Sequence, residues 1–274
     1  MVDATPPQLV ELAAEAGYRG VCLFMESMPT LPLMPAFHLR GRTAMARDTK
    51  ARMQASGIEL DLAYPFTLSR HNEAADFLPA LETAAWLGAK AVNLLLYDRD
   101  PARRFDQFAA FSALAEDHGL RVAVEFYPPS QIGSFTAALA LVTKLGRPAV
   151  AGVNIDLLHL MRSGGSFDEL RAAPSAYLHY AQFCDATLPG PDLDPAEEAS
   201  AHRLLPGEGQ FDLASFAAAL PAGLSASVEV PRNPAILAGE AQLDRARRAL
   251  HATAQSLALS PRARSSPLAP PAPR

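Results

Sequence analysis

Short apolar runs alternate along this chain with segments whose apolar residues return at helical spacing. Leu9, Val10, Leu12, Ala13 and Ala16 follow Pro6 and Pro7 and stop at Gly17, a pattern that predicts a helix over 5–17. The run GVCLFME comes next and reads as a buried strand. The same alternation predicts helices around 43–56, 72–87, 102–118 and 134–145, followed in turn by the strands IELDLAY, AKAVNLLLY, RVAVEF and AGVNID. Strands near 176–183 and 224–230 and a helix around 235–257 complete the series. Strands that read as continuous apolar runs are covered on both faces, so the pattern implies a parallel sheet under helices.

The chain has 274 residues, 49% of them hydrophobic, close to the size of about 250 residues typical of an α/β (β/α)8 TIM barrel. Residues 1–257 are expected to form that single domain. Seven strands are evident, and the eighth should precede the first helix, where only Met1–Asp3 stand; the first strand therefore reads as truncated. An unpaired sheet edge needs covering, which leads to the expectation that the natural protein starts upstream of Met1. The Pro-, Ala-, Ser- and Arg-rich tail 258–274 is expected to be disordered. The proline-bearing segment 187–202 is expected to be a loop over the barrel mouth.

A net charge of -5 with no basic block longer than a pair gives no footprint for a phosphodiester backbone, so nucleic-acid binding is not expected. Cys22 and Cys184 lie in separate apolar runs and read as small buried hydrophobes in a reducing compartment. The start MVDATPPQ has no basic and apolar leader, and no stretch approaches the roughly 18 apolar residues of a membrane span, so a cytoplasmic protein is expected. A homo-oligomer is compatible with all of this.

Candidate chemistry lies where strands end. Glu125 stands at the end of RVAVEF, Asp156 of AGVNID, Gln182 of AYLHYAQF and Glu229 of LSASVEV. In a βα barrel these positions share the face that carries active sites. A polar group ending an apolar strand is costly to bury without a strong partner, and three carboxylates with one amide converging there suggest one divalent cation. Oxygen-only ligation suits Mn2+ or Mg2+ better than Zn2+. The plainer alternative is that each group caps a following helix or binds a loop amide. Glu26, Tyr64 and Arg70 lie near other strand ends and are pocket-lining candidates, Tyr64 and Arg70 for substrate binding. His179, three residues before Gln182, should point to the opposite face of its strand. No GxGxxG, Walker lysine motif or GxSxG elbow occurs, so dinucleotide, P-loop and esterase chemistry lack their usual warrant.

The segments VEFYP at 124–128, NIDLLHLMRSGG at 154–165, QFCDA at 182–186, RLLPGEGQFDL at 203–213 and SVEVP at 227–231 together resemble the sugar phosphate isomerase/epimerase superfamily, the xylose-isomerase-like TIM barrels. That group includes inosose-converting enzymes, ketose 3-epimerases and 3-dehydroshikimate dehydratases. The resemblance covers the chain to about residue 257 and implies that Glu125, Asp156, residue 182 and Glu229 hold one divalent metal. Most such proteins carry His where this chain has Gln182; some dehydratase-like ones carry Gln. The resemblance further implies that Glu125 and Glu229 move the proton, one on each face of an enediolate. It also implies that His159, in the D-x-x-H pattern from Asp156, and Arg203 contact the substrate. The implied activity is a metal-dependent isomerase or epimerase of a small polyhydroxylated carbonyl compound. A dehydratase of the 3-dehydroshikimate or inosose type is the first alternative, favoured by Gln182, and a non-catalytic binding barrel the second. An apurinic endonuclease would need a histidine-rich multi-metal site and a basic groove, and the sequence offers neither.

Overall fold

A computed structural model describes residues 1–258; the tail expected to be disordered lies, from 259 onward, outside the described residues. Helix α1 (Pro6–Ala16) leads to β1 (Gly20–Phe24), α2 (Ala44–Ser56) to β2 (Glu59–Leu68), a 3-10 turn and α3 (Leu78–Leu87) to β3 (Ala91–Leu96), and α4 (Pro101–Asp117) to β4 (Arg121–Glu125). Helix α5 (Phe135–Leu145) leads to β5 (Ala151–Asp156), and the short α6 (Leu157–Arg162) and α7 (Phe167–Ala172) precede β6 (Leu178–Phe183). Helices α8 (Pro195–Ala201) and α9 (Leu213–Ala219) precede β7 (Ala226–Val228), and α10 (Asn233–Leu237) and α11 (Gln242–Ala258) follow it.

The strands pair in chain order, β1 to β7, and every pair is parallel. Twist curls the sheet until side chains of the first and sixth strands touch: Cys22 Sγ lies 3.3 Å from the Tyr180 hydroxyl. Inside that curl Leu62, Ala91, Ala123 and Tyr180 form a small apolar layer, while the larger core lies between the sheet and its helices. This is a nearly closed barrel of seven staves. Strands β1 and β7 are the two ends of the sheet, and one cavity of about 1790 Å³ reaches from Val21 and Ala226 on those strands to Glu125 and Gln182.

Three details differ from the sequence reading. Strand β2 runs on past Tyr64 to Leu68, its register with β3 slipping between Ala63 and Phe66; Pro65, which cannot donate to a ladder, sits in that irregularity. The segment expected as a mouth loop contains α8, whose start is fixed by the Asp194 carboxylate accepting from Ala196 N, by Pro195 and by two first-turn glutamates. The helix expected over 235–257 is two helices, separated at Gly239, whose φ of 74° is left-handed.

Gly152 on β5 is required by a close approach. A Cβ there would lie 2.3 Å from His179 Cδ2 and 2.6 Å from the Tyr177 carbonyl oxygen. His179 is held in place by contacts of its ring nitrogens with the Pro148 and Val122 carbonyls. It packs there away from Gln182, as the strand period required. Gly152→Ala is expected to lower stability by about 1–3 kcal/mol through overpacking, read as a shifted denaturant midpoint; an unchanged midpoint would show that His179 moves freely.

Candidate metal centre

Strand geometry sets the site. Residues two apart on a strand share a face, so Asn154 and Asp156 on β5, and Tyr180 and Gln182 on β6, all point into the barrel. The register places Glu125 level with Asn154, Asp156 with Gln182, and Gln182 with Ser227, and Glu229 continues β7 by donating its N–H to the Phe183 carbonyl. All four residues expected to hold a cation therefore reach one rim. Asp156 and Gln182 are buried and Glu125 nearly so, whereas the Glu229 side chain is 20% exposed.

Asp156 is both the last residue of β5 and the cap of α6. Its Oδ1 accepts from His159 N at 3.0 Å, and the single turn so started swings the imidazole back over the rim. His159 Nε2 stands 3.5 Å from Glu125 Oε1, its Nδ1 4.0 Å from Asp156 Oδ1, and Tyr127 packs edge-on at 4.9 Å between ring centroids. Arg203 is 3% exposed; its Nε donates to the Ala199 carbonyl at 2.8 Å, and its Nη1 donates to Asp156 Oδ2 at 2.5 Å and lies 3.6 Å from Glu229 Oε2. Asp185, just past Gln182, accepts from the backbone N–H groups of Ala186, Gly207 and Phe211 and so holds the turn that follows Arg203.

Below the rim lies a floor of amides that sequence reasoning missed. Asn93 Nδ2 donates to Glu125 Oε2 at 2.5 Å, Asn154 Nδ2 to Asn93 Oδ1 at 3.0 Å and to Gln182 Oε1 at 2.5 Å, and Gln182 Nε2 to Glu229 Oε2 at 2.6 Å. The signal was present: each asparagine interrupts an apolar strand, and Asn154 is one strand period before Asp156. Tyr64 lines the same cavity, its ring 4.2 Å from that of Phe24. Arg70 is not brought there. It is exposed on the segment after β2, and its Nε donates to His71 Nε2. Glu26 is likewise exposed and paired with Arg40.

Charge balance is the test of whether a cation fits. Glu125, Asp156 and Glu229 against Arg203 leave two negative charges at a buried site, which a divalent ion would neutralise. Glu125, Asp156 and His159 each turn a ligand atom to within 4.8 Å of the other two. Gln182 Oε1, which accepts from Asn154, has a second lone pair for a cation. Proton affinities reflect the same imbalance. Burial, then the charge of Asp156, pushes Glu125 up to about 7, and burial pushes Glu229 well above the usual carboxylate range. Burial opposes ionisation of Asp156 too, but Arg203 and His159 together hold its carboxyl below its ordinary value. Burial pushes His159 down to about 4, so its ring is neutral near pH 7.

These shifts set the sign of a pH dependence. A glutamate whose folded pKa is raised contributes stability present below its unfolded pKa and lost as pH rises through the folded one. His159, with a lowered folded pKa, works in the opposite sense, but only below its unfolded value of 6.5. Metal-free protein is therefore expected to lose stability from pH 6.5 to 8, and excess Mn2+ to reverse the slope by competing with protons for the carboxylates. Denaturant unfolding at the two pH values, in EDTA and in Mn2+, checks both signs; equal slopes would contradict the charge balance.

Comparison with known proteins identifies the fold. A family model described as xylose isomerase-like TIM barrel matches residues 10–253. The chain is 26% identical over 231 residues to a 3-dehydroshikimate dehydratase of Pseudomonas aeruginosa, covering 79% of this chain and 34% of that protein. A second such dehydratase, of Pseudomonas putida, is 24% identical over 231 residues with the same coverage. The chain thus spans about a third of the length of these relatives. Among solved structures, the IolI protein with a bound zinc atom superposes with a TM-score of 0.73 at 20% identity, over 91% of each chain. A D-psicose 3-epimerase studied in the presence of D-fructose gives 0.67 at 16% identity, over 93% of this chain and 94% of its own.

Proposed function

The chain belongs to the xylose isomerase-like TIM barrel family, and we propose that within it this protein is a divalent-metal-dependent isomerase or epimerase. Its substrate is a small polyhydroxylated carbonyl compound. The observation that carries this reading is the rim of three inward carboxylates against one buried guanidinium, with the neutral His159 ring beside them. Glu125, Asp156, Gln182 and Glu229 would hold the ion, and their oxygen donors favour Mn2+ or Mg2+ over Zn2+. When bound, a divalent cation polarises a carbonyl oxygen and so acidifies the adjacent C–H.

The chain's own residues handle the proton. Glu125 is tied through Oε2 to Asn93, leaving Oε1 to face the cavity beside His159 Nε2, where it can accept a proton. Glu229 stands three strands further round, with Oε2 tied to Gln182. One glutamate takes the proton from one face of the carbon, and the other delivers a proton to the opposite face. Neutral His159 exchanges hydrogen bonds with substrate hydroxyls, Tyr64 offers a phenol, and Arg203 fixes Asp156 and Glu229 while its Nη2, which donates to no described residue, meets a substrate oxygen.

A dehydratase is the second reading. Gln182 favours it, as does the similarity to the two Pseudomonas dehydratases. The same proton abstraction would then be followed by loss of a β-hydroxyl in place of reprotonation. NMR in deuterated buffer with Mn2+, run over a panel of ketoses and inososes, tests the first reading by solvent exchange at the carbon beside the carbonyl. Ultraviolet absorbance of a conjugated product reports the second. Absence of both signals would overturn proton-transfer chemistry at this site.

A further inference from the structure

We infer that Asn154 is a positioning residue that sets both acid–base glutamates at once, because it is the hub from which two amide arms run in opposite directions. The inference rests on the proposed metal site for its purpose but not for its geometry. One arm runs Asn154 Nδ2 to Asn93 Oδ1 (3.0 Å) and Asn93 Nδ2 to Glu125 Oε2 (2.5 Å). The other runs Asn154 Nδ2 to Gln182 Oε1 (2.5 Å) and Gln182 Nε2 to Glu229 Oε2 (2.6 Å).

The bond directions form one consistent set. Each outer amide presents N–H to a carboxylate oxygen and C=O inward, and the residue between them donates twice. An asparagine NH2 group carries two hydrogens and can do so; a serine could serve one arm and an aspartate neither. Reversing Asn154 would set its oxygen against two acceptors. The observed orientation has a cost that supports this reading. Asn154 Oδ1 is fully buried and has no partner among the described residues, a desolvation cost that the two outgoing bonds offset. Both arms bind the Oε2 atom of their glutamate, which leaves Oε1 of each for a cation or substrate.

This makes a specific expectation about coupling. Removing the hub should loosen both arms, whereas removing one outer amide should loosen only its own. The experiment is side-chain amide NMR of metal-free protein with 15N-labelled Asn and Gln, paired with Mn2+ titration. In the parent, the Gln182 and Asn93 amides should show slowed solvent exchange. Asn154→Leu should speed exchange at both and weaken Mn2+ binding about 10–100-fold, the range seen when groups orienting metal ligands are removed. Asn93→Leu should leave Gln182 protected. Ser112→Ala, which removes a buried hydroxyl bond to the Phe108 carbonyl within α4, is the control for lost stability and should change neither readout. Should Asn154→Leu fail to fold, Asn154→Ser should retain protection at one arm only. Unchanged Gln182 exchange in Asn154→Leu, protection kept at both arms in Asn154→Ser, or equal loss in Asn93→Leu overturns the inference. A parent with the expected amide pattern and no Mn2+ binding supports the hub and defeats the metal reading instead.

Discussion

Glu125→Gln is expected to lower turnover by about a thousandfold or more and to leave the metal-free fold at least as stable as the parent. The two effects have one origin. The carboxylate is nearly buried beside Asp156, and burial with that neighbouring charge pushes its carboxyl up to about 7, so in metal-free protein above neutral pH its charge is a liability. Glutamine has the same shape, and its carbonyl can still accept from Asn93, so the packing survives while the charge goes. What is lost under the proposed mechanism is the proton acceptor, and a positioned acid or base contributes about 100- to 10,000-fold. One fewer carboxylate also leaves a single negative charge against Arg203, so Mn2+ affinity should fall as well. Solvent exchange by NMR, a Mn2+ titration and a denaturant melt at pH 8 in EDTA read the three quantities separately. Turnover equal to the parent with metal bound alike would leave only a binding barrel.

Arg203→Met should have the largest effect on stability. Its guanidinium is 3% exposed and its partner Asp156 fully buried, with Glu229 beside them. Breaking a buried pair from one side strands the other charge out of water, at a cost of about 3–5 kcal/mol. Arg147 bonds Glu116 with both side chains nearly half exposed, and Arg147→Met should cost at most about 1 kcal/mol. Chemical denaturation of metal-free protein compares them. Saturating Mn2+ should recover part of the Arg203→Met loss, because the ion supplies charge to the same carboxylates. Equal losses in the two variants would mean that water reaches Asp156 and that its charge is not paired with Arg203 out of solvent.

The sequence made the frame and the rim legible for a physical reason. Strand period and helix spacing are local, so apolar runs such as AVNLLL and VAVE could be placed without knowing their neighbours, and the end of each run marked Glu125, Asp156, Gln182 and Glu229. The D-x-x-H step to His159 is local as well, being one turn of a capped helix. What stayed hidden depends on register between distant strands. Asn93 and Asn154 are 61 residues apart, and Asn154 and Gln182 are 28 apart; only the sheet's stagger brings their amides together. Arg203 read as a substrate contact, and nothing near it in sequence shows that its charge is buried against Asp156. Arg70 read as pocket-lining because it follows a strand, but β2 continues to Leu68 and carries it out to solvent beyond the rim. Burial of charge and pairing of amides are properties of the assembled barrel, whereas element type is written residue by residue.

The central claim is that carboxylates and an amide from four neighbouring staves enclose one divalent ion. Anomalous diffraction from a crystal equilibrated with Mn2+ reads that directly. One peak in contact with oxygens of Glu125, Asp156, Gln182 and Glu229 is the expected result. No peak at the rim, with the four side chains arranged as they are without the ion, would contradict it.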